Sequence, residues 1–256
     1  MGLFDKKYCD ICGEKIGLLG NRKLEDGNLC KDCARKLSPW FSERRNSSVN
    51  EIKRQLEYRE ENRGRVEAFH ITRTLGSGTK LLLDEDAGLF MVTSAKNIAE
   101  ANPDVLALSD VTGCTLDVEE SSNELLHEDK DGNEVSYNPP RYEYSYDFYI
   151  IVNVNNPYFN EMRFRINPNS VEISPPPSIR PGVTLRFNPE TNAEYKKYKQ
   201  LGEEIRQILV KVRDDAREKI EQAAAPKAAT PCPYCGATTT PDASGCCEYC
   251  GGALMG

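Results

Sequence analysis

The stretch YDFYIIVNVNNPYFNEMRFRIN, residues 146–167, decides the fold class. Phe148, Ile150, Val152 and Val154 alternate with the residues between them, residues 155–160 turn the chain, and Met162, Phe164 and Ile166 resume the alternation with Arg163 and Arg165 on the opposite face. A period of two on both sides of a turn is an antiparallel hairpin, buried on one face. Similar runs occur at 66–74, 80–84, 89–93, 105–108 and 111–118, separated by turns at Gly76-Ser77-Gly78, Asp86-Ala87-Gly88 and Asp131-Gly132-Asn133. The period-two region runs from Val66 to about Pro189 and predicts about seven strands in a small curved sheet or an open barrel.

A helix follows. Thr191 and Glu194 are spaced as a capping box, and Tyr195, Tyr198, Leu201, Ile205, Ile208, Leu209, Val212, Ala216 and Ile220 keep one face over roughly 30 residues. Its first half is expected to cover the sheet and its more charged second half to project away. A run of strands, with VLALSDVTGCTLDVE at 105–119 among them, and then a C-terminal helix resembles bacterial pleckstrin-homology-like (PH-like) domains. The resemblance implies an antiparallel β domain capped by its helix, binding a protein, a peptide or a lipid headgroup.

On the N-terminal side lies CDICGEKIGLLGNRKLEDGNLCKDCARKLSPWF, residues 9–41. Gly13 follows the pair Cys9 and Cys12 and allows the sharp turn of a metal knuckle. The Asp26-Gly27 turn and the apolar residues Ile16, Leu18, Leu19, Leu24 and Leu29 predict a short hairpin. Cys30 and Cys33 lead into a helical turn. Knuckle, hairpin and ligand-bearing helix resemble the treble-clef arrangement of zinc-binding domains. With the following helix, SVNEIKRQLEYREEN, the unit resembles an uncharacterised bacterial family with an N-terminal zinc-binding domain, a resemblance that implies no activity. In that helix Ser48 and Glu51 fit a capping box and Val49, Ile52 and Leu56 form a thin apolar stripe, as in a solvated linker helix.

At the far end, CPYCG (232–236) and CEYCG (247–251) are near copies. The repeat selects Cys247 as the ligand and leaves Cys246 over. The unit resembles the short zinc ribbon, two knuckles joined by a brief hairpin. Of ten cysteines, Cys114 also remains outside the C-x-x-C pairs, in a strand where it reads as a packing residue.

The chain of 256 residues is 39% hydrophobic and 29% charged, with a net charge of −7, and reads as α+β and multi-domain. The boundaries are 1–41 for the treble-clef-like zinc domain, 42–64 for a linker helix, 65–222 for the PH-like β domain with its long helix, 223–231 for a flexible or extended linker, and 232–256 for the zinc ribbon. Metal ligands are expected at Cys9, Cys12, Cys30 and Cys33 and at Cys232, Cys235, Cys247 and Cys250. Four thiolates fit two structural zinc ions, with iron the alternative for the same ligand set. No apolar run is long enough to span a bilayer and no hydrophobic signal core opens the sequence, so a cytoplasmic location is expected.

A catalytic reading finds no paired acid and base, no phosphate-cradling glycine loop and no calcium loop; His70, His127 and Cys114 stand apart from one another. The expectation is therefore a non-enzymatic adaptor or regulatory protein. Residues 1–65 carry 15 basic against 11 acidic side chains, whereas residues 66–190 carry 9 against 20. The basic residues Arg22, Lys23, Arg35, Lys36, Arg44, Arg45, Lys53 and Arg54 keep open a nucleic-acid-associated zinc-ribbon factor. The acidic middle weighs against it. A protein or peptide partner is the first reading, nucleic acid the second and peripheral lipid contact a third; a chain of this net charge is expected not to bind anionic vesicles unless a local basic pocket around Arg163 and Arg165 overrides the repulsion.

Overall fold

The computed structural model describes residues 6–174, 188–224, 229–242 and 245–254. The chain divides into two compact units, Met1–Asp214 and Asp215–Gly256, with the boundary inside the last helix. The fold is α+β.

The N-terminal module pairs β1 (Arg22–Lys23) with β2 (Asn28–Leu29) across the Asp26-Gly27 turn, and α1 (Lys31–Arg35) follows directly. Its small core holds Ile16, Leu24, Leu29, Leu37 and Ile52 together with Cys9 and Cys33. Leu18 and Leu19, expected in the hairpin, are left outside it.

The helix α2 (Val49–Ala68) begins at the expected capping box, with the Ser48 hydroxyl accepting from the Glu51 N–H and the Glu51 carboxylate accepting from the Ser48 N–H. It extends to Ala68, so the run 66–74 read as a strand is helical at its start, and β3 (Arg73–Leu75) is short. His70 lies in the connection and not in a strand. The buried face of α2 is mostly polar: Gln55, Arg59 and Asn62 join Ile52 and Val66.

The reason lies in the segment it covers. After β4 (Lys80–Asp84), β5 (Leu89–Thr93) and the short α3 (Ile98–Ala101), residues 102–105 cross the interior as buried loop. Buried loop backbone must find hydrogen-bond partners. Asn62 supplies them, donating to Pro103 O at 2.7 Å and accepting from Val105 N–H at 2.9 Å. Arg59 donates to Asn102 O, to Lys36 O at 3.2 Å and to the Asp104 carboxylate at 2.8 Å. Ser38 donates to the same carboxylate at 2.8 Å.

With β6 (Leu106–Ala107), the first sheet has the order β3-β4-β5-β6, antiparallel throughout. The second is built on a long ribbon, β7 (Val111–Glu128) with β8 (Glu134–Val154), whose other edge pairs β9 (Glu161–Arg165) and β10 (Val171–Ile173). Strand β7 runs ten residues beyond the expected 118. Sheets are open among the described residues, and the barrel alternative is set aside. Residues 175–187, the end of the period-two region, lie outside the described residues, as do residues 225–228 of the linker expected at 223–231.

The last helix, α4 (Ala193–Ala224), is capped by Asn192, whose side chain accepts from the Glu194 and Tyr195 N–H groups at 2.8 and 3.0 Å. Thr191, the expected cap, instead donates its hydroxyl to Asn188 O. The first half of α4 covers the second sheet, as its apolar face requires. Tyr195 packs edge-on against Tyr146 and Phe148, with ring centroids 4.9 and 5.1 Å apart, and Gly202 lies against Leu116. In the second unit β11 (Thr230–Pro231) pairs β12 (Thr238–Thr239) in a minimal hairpin. No helix among the described residues is long and apolar enough to cross a membrane.

Candidate metal centres

Three of the four C-x-x-C pairs share one backbone form. In each the glycine after the second cysteine adopts a positive φ, 75° at Gly13, 73° at Gly236 and 70° at Gly251. The N–H of each of these glycines donates to the carbonyl of the first cysteine at 2.8 Å. A side chain disfavours this left-handed conformation, which explains the repeated glycine. The N–H of the first cysteine reaches a carbonyl five residues on in every case: Glu14, Ala237 and Gly252. The fourth pair lacks the glycine because it is helical, with Cys30 as N-cap of α1 and Ala34 N–H donating to Cys30 O at 3.0 Å.

These turns collect the thiols into two groups, Cys9, Cys12, Cys30 and Cys33 in one and Cys232, Cys235, Cys247 and Cys250 in the other, with the sulfur atoms of each group within 4.8 Å of one another. Each group combines two buried positions with more open ones, Cys9 and Cys33 being buried in the first and Cys232 and Cys247 in the second. Backbone donors point at sulfur: Cys30 N–H to Cys9 Sγ and Cys33 N–H to Cys30 Sγ, both at 3.3 Å, and Tyr234 N–H to Cys232 Sγ at 3.4 Å. Donors of this kind stabilise thiolate, the form a metal requires.

The electrostatics of the two groups are alike. Burial raises the Cys9 thiol, but the N–H groups of Cys12, Cys30 and Ile11 outweigh it and bring the pKa to about 7. Cys232 follows the same balance, burial against the N–H groups of Cys235 and Tyr234, and also falls to about 7. The remaining sulfurs resist a second charge. Cys33 is pushed up by burial and by the three sulfurs beside it. At Cys250 the Gly252 N–H pulls down but the sulfurs of Cys232 and Cys235 prevail, raising the pKa to about 12. Four thiols at this spacing can ionise together only around a cation, so the donor set fits a metal ion.

Cys246 stays outside the group. Its N–H donates to the Asp242 carboxylate at 2.9 Å and its backbone bridges to Ala253. Cys114 is half-buried beneath α4, and burial pushes its thiol up to about 11, the behaviour of a packing residue rather than a nucleophile. His70 faces Asp86 at 4.0 Å on the surface, and His127 stacks on Tyr137 far along the β7–β8 ribbon. Arg163 and Arg165, expected to offer a basic pocket, are committed: Arg163 pairs with Asp117 and Glu119 at 2.7 Å and Arg165 with Asp147 at 2.6 Å.

Fold and sites together define a protein with two four-cysteine modules, one in each compact unit, the first joined to an α+β body. Residues 7–55 match the model of a domain of unknown function (DUF4428). That match covers the first four cysteines and stops inside α2, just after Ile52, the last fully buried side chain that α2 gives to the module core. No curated protein and no solved structure matches the chain.

Proposed function

We propose that this chain is a non-enzymatic adaptor or regulatory protein, held in shape by two structural zinc ions, that binds a protein or peptide partner through its β domain. The observation that carries the reading is the pair of closed sulfur clusters. Cys9, Cys12, Cys30 and Cys33 would hold one ion and Cys232, Cys235, Cys247 and Cys250 the other. Zinc surrounded by four thiolates has a full tetrahedral shell, so it cross-links chain segments and offers no position to a substrate. Keeping eight thiols free for metal needs a reducing compartment, and the reading includes a cytoplasmic location.

The middle of the chain supports the partner half of the reading. Two antiparallel sheets followed by a covering helix agree with the PH-like resemblance. Strand β7 pairs only with β8 among the described residues, which leaves its outer edge beyond Val111 as a row of backbone donors and acceptors. An extended peptide adds to such an edge as a further strand.

Elemental analysis of purified protein is expected to give two zinc ions per chain, still two in Cys246→Ser and one in Cys247→Ser. A ratio near one for the unaltered chain, or the colour of an iron–thiolate site, overturns the metal assignment. For the partner, the chain is purified from its native cells with and without nuclease, and hydrogen exchange is measured over Val111–Glu128 with the recovered component added. A protein that survives nuclease and protects this strand is the expected result. Recovery of nucleic acid alone, with binding that falls steeply as salt rises, replaces the reading with a nucleic-acid-associated factor.

A further inference from the structure

The N-terminal module carries two large apolar side chains that its folding does not use. A tight turn closed by Gly20 N–H donating to Gly17 O at 2.9 Å places Leu18 and Leu19 at its tip. They are 92% and 82% exposed, while the module core is complete without them. Turn tips ordinarily carry Gly, Asn, Asp or Ser.

Beneath the tip sits a group of cations. Arg22 donates to Leu19 O at 3.4 Å, so its guanidinium lies at the base of the turn. Arg44 donates to Lys23 O at 2.7 Å and thereby joins the same hairpin. Burial, and then the like charges of Arg22 and Arg45, hold the Arg44 pKa below its ordinary value, which marks the three arginines as neighbours. Among the described residues, none of the three forms an ion pair. In a chain of net charge −7, Arg22, Lys23, Arg44 and Arg45 are thus brought together, with Glu25 and Glu43 close to them in sequence but paired with none of them.

We propose that this face seats the N-terminal module on an anionic lipid bilayer, with Leu18 and Leu19 inserted below the headgroups and Arg22, Lys23, Arg44 and Arg45 against them. The order of chemistry along the turn, apolar tip first and cations behind, is the order of a bilayer interface read from the inside outward. The tip is also convex: it suits a fluid surface that opens around it, whereas a protein would need a preformed pocket. This inference is independent of the partner reading above, because it uses neither the sheets nor the sulfur clusters.

The test is co-sedimentation of the full zinc-loaded chain with vesicles of phosphatidylcholine, alone and with about 30% phosphatidylserine. Binding is expected only to the second and is expected to weaken with salt. Leu18→Ser/Leu19→Ser is expected to lower the partition at least about tenfold, and Lys23→Glu/Arg45→Glu about tenfold or more. All four side chains are exposed, and unchanged metal content and circular dichroism verify that the variants fold. Failure of the unaltered chain to bind the anionic vesicles overturns the proposal, as does binding that survives the double leucine change. If an acidic protein is captured through this face while the vesicles are not, the surface is a protein interface and the lipid assignment is wrong.

Discussion

Arg59 is the residue that most clearly joins the N-terminal module to the sheets. Its side chain is 7% exposed and that of Asp104 fully buried, and it serves one carboxylate and two carbonyls at once. Removing one partner of a buried ion pair leaves the other charge uncompensated, so Arg59→Leu is expected to cost about 3 kcal/mol in chemical denaturation. Adding Asp104→Leu is expected to return part of that loss, because the stranded charge goes with it. The pH dependence has a definite sign. Burial already raises the Asp104 carboxyl, against the pull of Arg59 and Ser38. Without Arg59 the folded state holds this proton to higher pH than the unfolded chain does, so the variant is least penalised in acid and loses stability as pH rises through the folded-state pKa. A penalty that is largest in acid, or a double variant no better than the single, contradicts the account.

At the scale of elements, the contact between α4 and β7 rests on an absent side chain. A Cβ built on Gly202 meets Leu116 Cδ1 at 2.5 Å and Cδ2 at 3.0 Å. Gly202→Val is therefore expected to cost about 1–3 kcal/mol through overpacking, despite the better helix propensity of valine. The companion change Leu116→Ala is expected to recover part of it in the same thermal melts; additive losses would mean that the helix does not lie on this strand. Cysteine spacing made both clusters legible, since a C-x-x-C-G knuckle is a local structure, and period two made most strands legible. What stayed hidden had non-local causes. The distal part of β7 and β8 is largely exposed, so SSNELLHEDKDGNE shows no alternation and reads as a polar stretch. The polar face of α2 looked solvated because the buried loop that needs Arg59 and Asn62 lies about 40 residues further on, a separation of 43 between Asn62 and Val105. Leu18 and Leu19 misled in the opposite direction, because hydrophobicity alone cannot distinguish a core residue from one kept for a surface.

For the whole molecule, the two metal modules are expected to differ in what their loss does. The first lies within the compact unit that contains both sheets, Met1–Asp214. Its ties to the body are the Arg59 and Asn62 bonds to residues 102–105, the Ser38 bond to Asp104, and an aromatic contact in which Tyr58 and Phe41 meet Tyr158, with ring centroids 5.0 and 6.5 Å apart. Since Ser38 and Lys36 reach this network from the chain just after Cys33, loss of a metal held by this cluster is expected to free α1 and weaken the clamp on the buried loop. The second module belongs to a unit of its own, Asp215–Gly256. Cys12→Ser and Cys250→Ser make a matched pair, because both ligands are exposed and neither change opens a cavity. By calorimetry, Cys12→Ser is expected to lower the main transition by about 5–10 °C, as a loss of roughly 2–3 kcal/mol does in a unit of this size. Cys250→Ser is expected to leave that transition within about 1 °C and to remove only the heat of its own small module. Equal shifts in the two variants would show that the N-terminal module is no more part of the cooperative body than the C-terminal one, and that its polar clamp on the loop contributes little to the stability of the sheets.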